Sequence, residues 1–323
     1  MRPRSLVGLI IALLLATAAS VAQTPKPAPA PLAWRPLIGE YVSNNETIIV
    51  LEKDGKLYAL LKNGPMTEVA DRAFYRDRNG KVSHLRFNDS IYERKPLGPE
   101  EGATQLKVNP VRPVKTLLTE ALAAEPPTET GNFLPTDFVE LTKLDPTIKL
   151  DVRYATTNNL FDSVFYSQAR AFLQRAPAEA LVRVSRKLKA TGYGLLVHDG
   201  YRPWYVTKVF WDASPQDKKI FVADPAKGSR HNRGAAVDLS LYDLKTGKPV
   251  EMVSTYDETT DRAYPNYPGG TSLQRWHRDL LRSAMESEGF TVYEAEWWHF
   301  DYKDWQRYHI GNVPFEKIGT PNN

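Results

Sequence analysis

His231, Asp238 and His299 have the side-chain chemistry to hold a metal ion. His231 sits in the run Ser229-Arg230-His231-Asn232-Arg233-Gly234, Asp238 on the apolar stretch after it, and His299 at the end of Glu296-Trp297-Trp298-His299. Zinc accepts imidazole and carboxylate donors, and a catalytic zinc keeps three protein ligands and one open position. Two imidazoles and one carboxylate leave the ion net positive, so a water on it has its pKa lowered towards about 7. Gly234 lets the chain bend so that His231 and Asp238 face one point. Glu296 is the natural general base, able to take a proton from such a water and return it to a leaving amine. Residues three apart on a regular strand point to opposite faces, so Glu296 and His299 can share a site only if the strand bulges, turns or ends near Trp297 or Trp298. Arg202, in Asp199-Gly200-Tyr201-Arg202-Pro203, is a permanent cation with a fork of donors, suited to the oxyanion of a tetrahedral intermediate.

Taken singly, each segment has a plainer reading. His231 and Asp238 fit a surface loop and a strand end, Glu296 to His299 fits an aromatic core strand with polar ends, and Arg202 fits a solvated turn. His84, His198, His277 and His309 have no comparable context and read as structural. His198 is the nearest rival ligand, because it lies on the stretch leading to Arg202. The chain has no cysteine, so thiolate nucleophiles, thiolate ligands and disulfides are excluded.

The elements that must position these residues lie in the C-terminal part. Pro177 to Ala190 carries Leu181, Val184 and Leu188 at helical spacing, with Gly192 placed to end the helix. Gly194 to His198 reads as a buried strand, and Val237 to Leu241 as an alternating one. Leu273 to Glu288 reads as a second amphipathic helix closed by Gly289. Thr291 to Tyr293 opens a third strand leading to Glu296. The pattern predicts an α+β domain over 133–323, with helices packed on a mostly antiparallel sheet. Residues 34–96 read as a small antiparallel β domain, because Asp54-Gly55 and Asn79-Gly80 separate apolar runs as hairpin turns do. No chemical constellation appears there. Residues 97–132 mix Pro, Gly, Glu and Thr and read as a linker, with a short helix over Thr116 to Ala124.

The N-terminus carries an export signal. Arg2 and Arg4 precede the apolar run Leu6 to Leu15, and Ser20-Val21-Ala22 fits a cleavage site, so 1–22 reads as a signal peptide. Residues 23–33, with four prolines, follow as a flexible lead-in. The expected location is therefore periplasmic or secreted, with no stable membrane span once the leader is removed. A net charge of +4, from 42 basic and 38 acidic residues, gives no nucleic-acid footprint.

Together, the His-x6-Asp segment with Ser229 and Gly234, the Glu-x2-His segment and the Asp-Gly-Tyr-Arg-Pro turn resemble the VanX-type D-alanyl-D-alanine dipeptidases. These are zinc D,D-peptidases related to D-alanyl-D-alanine carboxypeptidases and to the Hedgehog signalling domain. Asp151-Val152-Arg153-Tyr154-Ala155-Thr156, Gly192 to Leu196 and Tyr256-Asp257-Glu258 extend the resemblance over roughly 136–310. It implies a Hedgehog/D,D-peptidase-like fold and one zinc ion on His231, Asp238 and His299. It implies Glu296 as catalytic base and acid, and Arg202 as transition-state stabiliser. It further implies that Asp257 and Asp199 receive the substrate ammonium, with Ser229 beside the substrate. The implied substrate is a small D,D-dipeptide or a peptide derived from peptidoglycan. The alternatives are a zinc carboxypeptidase or endopeptidase acting on peptidoglycan stems, and a non-catalytic wall-binding protein.

Overall fold

The computed structural model describes residues 25–44, 46–61, 64–96 and 107–319. The expected signal peptide lies outside the described residues. None of the described helices is long and apolar enough to cross a membrane.

Residues 39–94 form one antiparallel seven-stranded sheet. Its strands are β1 (Gly39–Ser43), β2 (Glu46–Lys53), β3 (Lys56–Leu61), β4 (Met66–Glu68), β5 (Phe74–Arg76), β6 (Val82–Phe87) and β7 (Ser90–Arg94), in the order β4-β3-β2-β1-β7-β6-β5. Asp54 and Gly55 turn β2 into β3 at φ 51° and 74°, the two-residue hairpin their types favour. The Asn79-Gly80 turn is longer than a two-residue hairpin. Asp77 accepts the Asn79 and Lys81 amides, both at 2.9 Å, and only Gly80 needs positive φ. Tyr41, Ile48, Val50, Ala59 and Leu85 fill this domain's core.

The C-terminal part is an α+β domain around a five-stranded sheet. In chain order its elements are α1 (Val114–Leu122), β8 (Phe138–Glu140), α2 (Leu141–Leu144), β9 (Lys149–Leu150), β10 (Phe172–Gln174), α3 (Arg175–Lys189), β11 (Tyr193–Asp199), α4 (Trp204–Ala213), β12 (Ala236–Asp243), α5 (Ser272–Glu286), β13 (Phe290–Tyr293) and β14 (Glu296–Tyr302). The main sheet runs β13-β14-β12-β11-β9, antiparallel except where β9 joins β11. Alternation divides its faces. Leu195, Val197, Val237, Leu239, Leu241 and Phe300 pack with Leu181, Val184 and Leu188 of α3 and with Leu281 and Met285 of α5. Asp238, Ser240 and His299 occupy alternate positions on their strands, so the chemistry is carried on the sheet's other face.

The segment read as a linker is, in its described part, packed onto the catalytic domain. Leu117 and Ala121 of α1 are buried in one cluster with Val209, Phe210 and Ala213 of α4. The Val111 amide donates to the Ala213 carbonyl (2.9 Å). The short helix was legible, but the α4 residues it packs on lie far downstream in the chain.

The two domains are joined by buried polar contacts. Glu40 and Glu52 of the β domain are 4% and 2% exposed. The Glu52 carboxylate accepts the Ser272 amide at the start of α5 (2.7 Å), and its carbonyl accepts from Arg275 (2.7 Å). Its own amide donates to the Gly270 carbonyl (3.1 Å), and Tyr267 donates to Glu40 (3.1 Å). Charges so deeply buried persist only where donors meet them, so these contacts hold the domains in one arrangement.

Candidate metal centre

His231, Asp238 and His299, from three separate elements, converge on one point. Asp238 and His299 are direct cross-strand partners on β12 and β14, which puts them on the same face. His231 opens a short 3-10 turn ended by Gly234 at φ 62°. A Cβ at Gly234 would lie 2.5 Å from the Phe138 ring, so both conformation and space demand glycine there. His231 Nε2 lies 3.1 Å from His299 Nδ1 and 3.4 Å from Asp238 Oδ1, and these last two atoms are 3.0 Å apart.

These residues fit a zinc ion. Donors on bonds of about 2.0–2.1 Å at tetrahedral angles stand about 3.3 Å apart, close to the observed edges. Asp238 Oδ1 is buried and accepts no hydrogen bond among the described residues, a costly state for a carboxylate oxygen without a cation. Each remaining polar atom of the trio is occupied. His231 Nδ1 bonds the Gly200 carbonyl (2.7 Å), His299 Nε2 bonds Asp301 (3.0 Å), and Asp238 Oδ2 accepts from Tyr256 (3.1 Å). Outer contacts of this kind set the tautomer and aim the donor nitrogen at a metal. Burial disfavours a charged imidazole, yet Asp238, Asp301 and Glu296 outweigh it and push His299 up to about 10. The site is thus built to hold positive charge.

Glu296 joins the site through the expected strand irregularity. Tyr293 pairs with Glu296 and Val292 with Phe300, so Trp297, Trp298 and His299 bulge opposite a single step of β13. The bulge swings the Glu296 carboxylate to 3.8 Å from His299 Nδ1. Burial pushes its carboxyl up, and Asp238 adds to this, while His299, His231 and Arg202 oppose it. A carboxyl shifted towards neutrality suits proton exchange.

Asp199 and Arg202 enter through a second irregularity. The β11–β12 pairing skips His198, so Asp199 faces Asp238. A Cβ at Gly200 would lie 2.6 Å from the Phe172 carbonyl, which keeps the turn tight. Asp199 accepts from Tyr166 (2.8 Å), the Gly200 amide (2.9 Å) and Arg202 Nε and Nη2 (2.9 and 2.8 Å). With both oxygens so occupied, Asp199 anchors Arg202. Arg202 lies over the Tyr154 and Phe210 rings and reaches within 4.0 Å of Asp238.

Asp257 holds a left-handed conformation at φ 62° and accepts from Tyr154 at 3.3 Å. Burial, then Asp238 and Glu296, push its carboxyl up to about 8. Ser229 accepts the His231 amide at 3.2 Å and so supports the ligand turn. His198 stacks on Tyr256 and stays outside the donor trio. Asp301, which Arg230 holds at 3.2 Å, escaped the sequence reading. The signal was present: on a strand, residues two apart share a face, so His299-x-Asp301 marks a ligand and its partner. Replacing Asp301 by alanine should weaken metal binding by about 10–100-fold, as titration against a competing chelator would read. Unchanged affinity would remove Asp301 from the site.

Comparison with known proteins gives the family. A family profile described as D-ala-D-ala dipeptidase, peptidase family M15, matches residues 135–315. The D-alanyl-D-alanine dipeptidase of Escherichia coli (strain K12) is 31% identical over 166 residues, covering 51% of this chain and 84% of that protein. The enzyme of the same name from Enterococcus faecalis (strain ATCC 700802 / V583) is 34% identical over 175 residues, covering 49% and 87%. Among solved structures, the LdcB LD-carboxypeptidase aligns at 20% identity and TM-score 0.34 over 57% of this chain and 78% of that one, too distant to inform the assignment. A profile that spans the sheet, the ligand trio and Glu296 together, with relatives matched over most of their own length, makes this chain an enzyme of the D-Ala-D-Ala dipeptidase family of metallopeptidases.

Proposed function

We propose that the protein hydrolyses D-alanyl-D-alanine, or a closely related small D-amino-acid dipeptide, with one zinc ion on His231, Asp238 and His299. The observation that carries this reading is the convergence of those three donors around the unpartnered Asp238 Oδ1, with Glu296 and Arg202 alongside. Zinc, when bound, supplies a Lewis acid that polarises a carbonyl and lowers the pKa of water.

The chain's own residues supply the rest. Glu296 takes the proton of the attacking water and passes it to the leaving nitrogen. Arg202, held by Asp199 and by two aromatic rings, presents fixed positive charge to the oxygen that becomes negative in the tetrahedral species. Asp257, when ionised, receives the ammonium of a free dipeptide, which favours substrates that end there. Ser229 steadies the His231 turn beside the substrate.

Export to the periplasm or beyond is part of the same proposal and rests on the Arg2 to Ala22 pattern. There the enzyme would meet dipeptides released from the cell wall. The purified zinc-loaded protein should release alanine from D-Ala-D-Ala far faster than from L-Ala-L-Ala. Equal rates, or no release from the D,D-isomer, would overturn the substrate assignment.

A further inference from the structure

Arg233 closes the turn that carries His231, and its side chain is only 10% exposed. A guanidinium stays charged at any ordinary pH, so one this buried persists only where acceptors meet it. Nη1 donates to the Tyr308 carbonyl (2.5 Å) and Nη2 to the Glu129 carboxylate (2.6 Å). The other Glu129 oxygen accepts the Ile310 amide (2.6 Å). Among the described residues, Glu129 brings the one carboxylate that pairs with Arg233. A single side chain thus joins the ligand turn to the chain that follows β14.

Glu129 belongs to no helix or strand, lies in the segment that reads as a linker, and precedes the residues matched by the family profile. Neighbouring contacts hold that segment against the same C-terminal stretch. The Leu134 amide donates to the Arg307 carbonyl (2.8 Å), and Thr136 Oγ1 meets His309 Nε2 at 3.0 Å. Glu129 is therefore presented to Arg233 by a chain already fixed on the catalytic domain.

The turn that Glu129 reaches carries two parts of the site. His231 supplies one donor of the trio. Its carbonyl accepts the Arg202 amide (3.1 Å), and the Asn232 side chain donates to the Arg202 carbonyl (2.8 Å). The turn is three residues long, so a shift at Arg233 passes directly to His231. Zinc bonds of about 2.0–2.1 Å tolerate little such drift.

We propose that Glu129 is a positioning residue for the metal centre: through Arg233 it fixes the His231–Arg233 turn, so that His231 stays aimed at Asp238 and His299 and Arg202 stays beside them. This rests on the reading of His231 as a metal ligand. It makes part of the segment before the matched domain a working part of the enzyme, because without that carboxylate the turn loses its tie to Ile310 and Arg233 is left with the Tyr308 carbonyl.

The test uses the full chain with Glu129→Ala, and with Glu129→Ala and Arg233→Met together. The first variant should bind zinc about tenfold more weakly, as titration against a competing chelator reads. The visible absorption bands of its cobalt-loaded form, which report the geometry of the donors, should shift from those of the wild type. The double variant removes the stranded guanidinium and should regain melting temperature while zinc affinity stays low and the cobalt bands stay shifted. It also serves where the single variant does not fold. Wild-type zinc affinity and cobalt bands in Glu129→Ala, or their return in the double variant along with stability, would show that Glu129 only neutralises a buried charge, and would overturn the proposal. These readouts need no substrate. A wild-type enzyme that leaves D-Ala-D-Ala intact would therefore sink the substrate assignment alone, whereas a wild-type chain that binds no zinc would sink both.

Discussion

Replacing Glu296 with glutamine is expected to lower kcat on D-Ala-D-Ala by about 10²–10⁴-fold while leaving the metal in place. The two halves of this expectation have different causes. The carboxylate stands 3.8 Å from His299 Nδ1 and is not one of the three converging donors, so its loss leaves the trio intact. Glutamine keeps the shape but cannot accept and return a proton. Glutamine fills the same space and keeps one carbonyl oxygen, so thermal stability should change little. Steady-state kinetics and metal analysis on the same preparation read both halves. Full activity in the variant would show that another group moves the proton.

Arg202→Ala should cost about 10²–10³-fold in kcat, or about 3–4 kcal/mol of transition-state stabilisation, in line with the loss of a preorganised oxyanion donor. This variant also strips Asp199 of a cation at 1% exposure, and an unpaired buried charge destabilises by about 3–5 kcal/mol. The two losses are separable. Asp199→Asn added to Arg202→Ala removes the stranded charge and should recover much of the melting temperature without recovering kcat. If the double variant regained activity along with stability, Arg202 would be structural and the oxyanion would need a different donor.

The irregular pairings explain why some of the site was legible and some was not. The types of His231, Asp238, Glu296 and His299 made them candidates for a metal site in a cysteine-free chain, and the resemblance of their segments to a peptidase family singled them out. The mismatch between a three-residue spacing and a two-residue strand period even pointed to the Trp297–His299 bulge. The second bulge, at His198, had no such clue, since hydrogen-bond register between strands is set by partners distant in sequence. Without it, Asp199 reads as a free carboxylate for a substrate amine. With it, the carboxylate meets four donors and becomes the anchor of Arg202.

Local pattern by itself determined the helices α3 and α5 and the strands between them, because each follows from periodicity within a short window, and it offered His231, Asp238 and His299 as candidate donors by their side-chain chemistry. Tertiary structure alone decided that α1 packs on α4, that Asp301 meets His299, and that buried Glu52 of the β domain meets the start of α5. Those outcomes depend on which distant surfaces exclude water together and which buried charges find donors. No stretch of chain can encode that without its partner.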